Sequence, residues 1–86
     1  MVLGTIAICF ALGLPGGGGV ERVKCYAEKP VKFETTQKCR EGMTLYLNMA
    51  GGAMVRMYSK KYATDMPWDG ERRLMYRFKL NCKRAV

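Results

Sequence analysis

The chain has 86 residues, with 15 Lys and Arg against 7 Asp and Glu and no histidine, which gives a formal net charge of +8. A chain of this length forms one domain at most, and the lack of histidine excludes Ser-His-Asp triads, Cys-His pairs and imidazole metal ligands. Hydrophobic residues make up 49% of the chain and charged residues 26%, which excludes a disordered tail and points to anionic partners.

The charge is confined to residues 21–86, because the first 20 residues contain no ionisable side chain. This break predicts an apolar segment at 1–15, a flexible glycine tether at 16–19 and a basic β-domain at 20–86. We expect the apolar segment to be helical and to contact a membrane. The side chains that we expect to make this contact are Val2, Leu3, Ile6, Ile8, Phe10, Leu12 and Leu14.

Two alternatives remain open for the apolar segment, namely a cleaved signal peptide and a buried strand or helix of a soluble fold or a larger assembly. The strongly apolar part, residues 1–14, would span only about 21 Å as a helix, whereas the hydrocarbon core of a bilayer is about 30 Å thick. A signal peptide has an apolar stretch of this length, but the basic residues that normally precede that stretch are missing.

The basic domain reads as a series of short strands, because apolar and polar residues alternate in several stretches. Alternation predicts strands at 20–27, 31–33, 43–47 and 74–82. The stretch 53–62 is also assigned to a strand, with a helix as the alternative. The predicted fold is therefore mainly β, a small antiparallel meander or barrel-like domain of four or five strands that follows a helical N-terminal segment.

The strand at 74–82 has the clearest alternation in the sequence. A turn is predicted directly before it, at Pro67-Trp68-Asp69-Gly70, since Pro fixes φ and Asp-Gly tolerates left-handed backbone. The apolar face of the strand is formed by Leu74, Tyr76, Phe78, Leu80 and Cys82.

The four cysteines show no metal-binding or redox spacing, since no two of them form a CxxC pair. A disulfide between Cys39 and Cys82 is the preferred pairing, and it would contribute about 3–4 kcal/mol by closing a long loop. Pairing of Cys25 with Cys82 is the alternative, and fully reduced, buried thiols are a third state. Cys9 is the remaining cysteine, and it could take up a thiol that is left over in the basic domain.

No constellation in the sequence points to catalysis. The carboxylates stand in turns or beside Lys and Arg, as solvated charges do, and none forms an apolar-embedded pair suited to acid–base chemistry. We therefore expect no enzymatic activity, no catalytic residue, no cofactor, no metal and no small-molecule substrate.

A basic contact face and a set of aromatic contacts are predicted near the last strand. The basic contact face comprises Arg72, Arg73, Arg77, Lys79, Lys83 and Arg84. The aromatic contacts are Tyr58, Tyr62, Trp68 and Tyr76. Basic residues interleaved with aromatic ones are typical of small OB- or SH3-like domains that bind single-stranded nucleic acid.

The function that the sequence favours is that of a small accessory or structural subunit of a larger, membrane-associated assembly. Its basic β-domain would contact acidic subunits or anionic lipid headgroups, and its methionines and aromatic residues would supply adaptable contact surface. One alternative is a secreted or periplasmic cationic binding protein or toxin held by a disulfide. The other is the single-stranded nucleic-acid binder.

Overall fold

A computed structural model describes residues 1–68 and 71–85 of the chain. Within these residues an antiparallel sheet of four strands is covered on one face by a long helix. The elements in chain order are β1 (Val2–Gly13), β2 (Val20–Ala27), β3 (Val31–Phe33), α1 (Thr36–Asp65) and β4 (Leu74–Arg84). The expected mainly β fold with a helical N-terminal segment is therefore wrong. The chain is an α+β protein whose helix lies between its third and fourth strands.

The apolar N-terminal segment is the central strand of the sheet. β1 pairs with β4 from Val2 to Leu12, and its other edge pairs with β3 at 2–4 and with β2 at 7–13. Partners on both edges and a helix over one face account for a long apolar run without charge. Such a run does not distinguish a buried strand from a buried helix. The segment that was predicted to be helical thus forms the middle of the fold.

The glycine run at 16–19 forms the connection between β1 and β2. Leu14 closes it, since its N–H donates to the Gly19 carbonyl at 3.0 Å and its carbonyl accepts from the Gly17 N–H at 3.0 Å. All four glycines have positive φ, between 80° and 145°, a region that other residues rarely adopt. The connection therefore depends on its glycines.

The helix α1 replaces the strands that were predicted at 43–47 and 53–62. It begins after Thr35, whose side-chain oxygen accepts a hydrogen bond from the Lys38 N–H at 3.1 Å, as an N-cap does. It ends at Asp65, two residues before Pro67, which cannot continue a helix. Among the described residues no helix combines the length and the apolar character needed to cross a bilayer.

The core lies between α1 and the sheet. Every second side chain of β1 enters it, and Ile8, Phe10 and Leu12 are fully buried there. From the helix, Cys39, Met43, Met54 and Tyr62 complete the core. The strand predicted at 74–82 is present as β4, and its predicted apolar face is the one turned toward the helix, because each of its residues pairs with a core or helix-facing residue of β1. The turn predicted before it includes Asp69 and Gly70, which lie outside the described residues.

Candidate anionic-surface interface

The sheet has a second face that no described element covers, which we call the open face. On β1 it carries the residues that alternate with the core, namely Leu3, Thr5, Ala7, Cys9 and Ala11. These side chains are small or of moderate size and carry no charge, so the charge of the open face comes from the neighbouring strands. Residues directly opposite each other on neighbouring strands point to the same side of a sheet, so the pairing registers identify the rest of this face.

A basic row runs along β4 on the open face. Arg77 lies opposite Cys9, Lys79 opposite Ala7, and Lys83 opposite Leu3. Arg73 lies opposite Gly13, just before β4, on the same side of the sheet as Met75. The basic row therefore consists of Arg73, Arg77, Lys79 and Lys83. Neighbouring alternate residues of a strand are about 6.7 Å apart, so the row extends over roughly 30 Å.

Lys32 of β3 extends the basic row across the sheet. It pairs with Leu3 of β1, whose other neighbour is Lys83 of β4, so the two lysines flank the same end of the open face. Both side chains belong to exposed residues. This end of the sheet therefore presents positive charge on both sides of its central strand.

With the exception of Glu71, which lines a hollow together with Arg73, the described carboxylates lie away from the basic row. Asp65 accepts hydrogen bonds from Tyr26 and faces Lys24 at 3.5 Å, and Glu28 accepts one from Tyr58 at 3.1 Å, all on the helix side of the sheet. The remaining described carboxylates are Glu21, which pairs with Arg72, Glu34, which pairs with Lys38, Glu41 on the helix, and Glu71 just before β4. No strand position of the open face, among the described residues, carries a carboxylate.

The other end of the open face is apolar. Val20 and Val23 of β2 and Met75 of β4 surround Ala11 and line a shallow hollow of about 320 Å³. Their exposed fractions are 46%, 58% and 41%. The glycine connection lies at this same end, where it lines a hollow together with Val20 and Met75. The basic row thus runs the length of the open face, and near the glycine connection its cations Arg73 and Arg77 adjoin an apolar end.

Two residues of the predicted basic contact face lie apart from the basic row. The Arg72 guanidinium donates to the Gly13 carbonyl at 2.9 and 3.1 Å and pairs with Glu21, so it joins β1, β2 and the approach to β4. Arg84 lies opposite Val2, a core residue, and therefore on the helix side of the sheet. The structure brings together only Arg73, Arg77, Lys79 and Lys83 of the predicted set, and it adds Lys32.

The predicted aromatic contacts lie on the helix side. Tyr62 is fully buried and donates to the Arg22 carbonyl, and its ring centroid lies 5.8 Å from that of Trp68. Tyr58 stacks on Tyr26 at 5.4 Å, and Tyr76 lies opposite Phe10 of the core. The predicted aromatic contacts therefore do not belong to the basic row.

Tyr62 and Tyr58 both have a raised pKa. Burial raises the pKa of Tyr62 above its usual value, and the nearby Arg22 and Arg72 oppose the effect. Burial also raises the pKa of Tyr58, and its hydrogen bond to Glu28 adds to the rise. Their hydroxyl groups serve as hydrogen-bond donors that connect the helix to the sheet.

Both pairs of cysteines form disulfides. Cys39 bonds to Cys82 and ties the first turns of α1 to the end of β4, which is the pairing that the sequence analysis preferred. Cys25 bonds to Cys9, directly opposite it in the sheet, so the alternative pairing of Cys25 with Cys82 is not formed. The second bridge lies on the open face, where it joins the central strand to β2. The odd thiol of the basic domain is thus taken up by the apolar segment.

The predicted membrane-contacting residues are divided between three environments. Val2, Ile6, Ile8, Phe10 and Leu12 are buried under the helix. Leu3 lies on the open face, and Leu14 begins the glycine connection. The sequence did not predict the residues of the apolar end, Val20, Val23 and Met75, because β2 and β4 are brought together only by β1, which pairs with both. In the described part of the chain no three acidic or cysteine side chains cluster as metal ligands would.

Comparison of the chain with protein-family models, with curated protein sequences and with solved structures gives no match.

Proposed function

We propose that the chain is a non-catalytic accessory protein that attaches to an anionic surface through the open face of its sheet. The observation that carries the proposal is the separation of charge across the sheet: Lys32 and the basic row stand on the open face, and the described carboxylates of the strands and helix stand elsewhere. An anionic partner on this face would meet several cations and, at the described strand positions, no carboxylate.

The two disulfides favour an oxidising compartment as the place of action. All four cysteines are paired, and disulfides persist in secreted, periplasmic and similar locations, whereas cytosolic thiols are kept reduced. A small sheet with one helix has limited core, and bridges of this kind compensate for it. We accordingly propose that the protein acts outside the cytosol.

A role in binding single-stranded nucleic acid has less support. Base stacking needs aromatic faces beside the cations, and the described aromatic rings lie on the helix side of the sheet. An extended or planar anionic surface, which binds through charge alone, fits the basic row of the open face better.

The test compares two charge-reversal variants with equal net charge. Arg77→Glu/Lys79→Glu alters the open face, and Arg56→Glu/Lys60→Glu makes the same change at exposed positions of the helix. Affinity for dextran sulfate, measured at several salt concentrations, should fall much further in the open-face variant. Equal losses in the two variants would mean that overall charge drives binding, and the proposal would then be wrong.

A further inference from the structure

We propose, as a refinement that rests on the proposed function, that the anionic surface is a lipid bilayer and that the apolar end of the open face inserts into its headgroup region. The apolar end is defined as Leu14, the glycines at 16–19, Val20, Val23 and Met75. It combines exposed hydrocarbon with adjacent cations, the combination by which peripheral proteins bind anionic membranes.

The apolar end has no ionisable side chain of its own. Residues 14–20 contain none, and the side chains of Leu14, Val20, Val23 and Met75 are all more than a third exposed. The glycine connection adds backbone without side chains, so a planar surface can approach it closely. Insertion of these side chains would remove hydrocarbon from water, while the charged residues beside them, Glu71, Arg72 and Arg73, would stay at the level of the headgroups.

Cations flank the apolar end. Arg77 on β4 and Arg73 just before β4 are the alternate neighbours of Met75, at about 6.7 Å on each side, and Lys79 follows Arg77 in the same row. The long stems of these side chains allow their charged groups to reach phosphates while Met75 and Val23 contact hydrocarbon. Glu71 lines the hollow under the glycine connection, but Arg72 and Arg73 follow it directly.

The same arrangement explains why the partner is a bilayer in preference to an acidic protein. An acidic protein surface would complement the basic row, but it would leave Val20, Val23 and the glycine connection against polar groups. A bilayer offers phosphates to the cations of the open face and hydrocarbon to its apolar side chains. Each cation near an anionic bilayer is expected to strengthen binding about fivefold.

The experiment measures cosedimentation of the full chain with vesicles of phosphatidylcholine, with and without phosphatidylglycerol. Val23→Ser/Met75→Ser alters the apolar end, and Leu45→Ser/Met49→Ser makes a comparable change at exposed apolar positions of the helix, which are 60% and 79% exposed. We expect wild type to bind the anionic vesicles, the apolar-end variant to bind about tenfold more weakly or worse, and the helix variant to bind like wild type.

Binding to dextran sulfate separates the two proposals. The apolar-end variant should keep wild-type affinity for this soluble polyanion, because its cations are unchanged. If it also binds anionic vesicles like wild type, insertion is wrong while charge-driven attachment stands. If the open-face charge reversal described above has no specific effect on dextran sulfate, the proposed function itself fails.

A second measurement on wild type avoids dependence on folding of the variants. Amide NMR signals of residues 14–23 should broaden when paramagnetic lipid is added to anionic vesicles, and those of residues 45–57 on the outer part of the helix should not. Broadening of the helix signals, or equal broadening of both regions, would overturn the proposed orientation.

Discussion

Tyr26 on β2 donates a hydrogen bond of 2.7 Å to the carboxylate of Asp65, the last residue of α1. The two residues are 39 positions apart in sequence, and their contact fixes the end of the helix against the edge of the sheet. Lys24 lies 3.5 Å from the same carboxylate, and Lys61 lies over the Tyr26 ring at 5.4 Å from its centroid. Tyr26 therefore connects the end of the helix to β2 and to the core.

Replacement of Tyr26 by phenylalanine should lower the melting temperature by roughly 4–8 °C. The ring and its contacts with Phe10 and Tyr58 are retained, so the change isolates the hydrogen bond to Asp65, and a small domain loses several degrees when one such bond is removed. Tyr46→Phe is the matched control, since that hydroxyl is 3.5 Å from Glu28 on an exposed side chain. Thermal unfolding followed by circular dichroism would measure both, and an equal change in the two variants would contradict the assignment.

Stability should fall as the pH rises through the interval from about 10 to about 12. Burial, the hydrogen bond to Asp65 and the negative charge of Asp65 raise the pKa of Tyr26 from its ordinary value of 10.0 to about 12. In this interval the unfolded chain releases the phenolic proton and the folded protein retains it, so each step upward in pH favours unfolding. Below pH 10 the contribution is fully present.

Urea unfolding at a series of alkaline pH values would test this dependence. Tyr26→Phe should show a shallower decline of the free energy of unfolding between pH 10 and 12 than wild type. The same slope in both proteins would mean that Tyr26 titrates normally in the fold.

The acid side should show the opposite dependence through Asp65. The hydrogen bond from Tyr26 lowers the pKa of this carboxyl below 3.8; desolvation opposes this effect, and the charge of Lys24 adds to the lowering. Its contribution is therefore present above the unfolded value and is lost as the pH falls through the folded one. Asp65→Asn should flatten the decline of the melting temperature at acid pH, and an unchanged decline would assign it to other carboxylates.

The edge strands could be predicted from the sequence because each has one covered and one exposed side. β4 alternates over its whole length, and β2 and β3 were placed correctly by alternation and by the turn residues around them. β1 was mistaken for a helix because both of its faces are largely apolar. A signal was nevertheless present, since large residues such as Ile8 and Phe10 alternate with small ones such as Ala7 and Cys9.

The helix was missed because its buried positions are not its most hydrophobic ones. Its buried residues include Cys39 and Gly51, whereas Leu45 and Met49 are exposed, so the apolar residues do not form a single stripe. Three glycines within the helix, Gly42 among them, further weakened the pattern. The capping residue Thr35 and the terminating Pro67 were the local signals that could have marked its limits.

The candidate site could be predicted only in part. The alternation of β4 was enough to group Arg77, Lys79 and Lys83, because residues two apart in a strand share a face. The contribution of Lys32 and of Val23 depends on which strands flank β1, and that order follows from pairing over long distances in sequence.

The disulfides should contribute unequally to stability. The Cys39–Cys82 bridge spans 43 positions and the Cys9–Cys25 bridge spans 16, and a longer loop loses more conformational entropy when it is closed. We expect Cys39→Ala/Cys82→Ala to lower the free energy of unfolding by about 4 kcal/mol and Cys9→Ala/Cys25→Ala by about 3 kcal/mol. Cys39 is also completely buried, so its truncation adds a cavity.

Urea denaturation of the two double variants, with mass spectrometry to confirm the remaining bridge, would measure this order. The helix signal in circular dichroism should weaken first in the variant that lacks the Cys39–Cys82 bridge, because that bridge holds the beginning of α1. A larger loss in the other variant would show that the central sheet depends more on its own cross-strand bridge.

Two glycines of the helix should respond to alanine in opposite directions. At Gly42 an added Cβ would lie 2.6 Å from Cε1 of Phe33, so the ring that joins β3 to the helix would have to move. At Gly52 the nearest atom would be the Arg56 guanidinium at 3.7 Å, an ordinary contact with a flexible exposed group.

Since alanine favours a helix interior by about 0.5–1 kcal/mol over glycine, Gly52→Ala should raise the melting temperature. Gly42→Ala gains the same helix propensity, but overpacking against Phe33 costs about 1–3 kcal/mol and should lower it. Thermal unfolding of both variants decides the matter, and a rise in both would mean that Phe33 does not rest on Gly42.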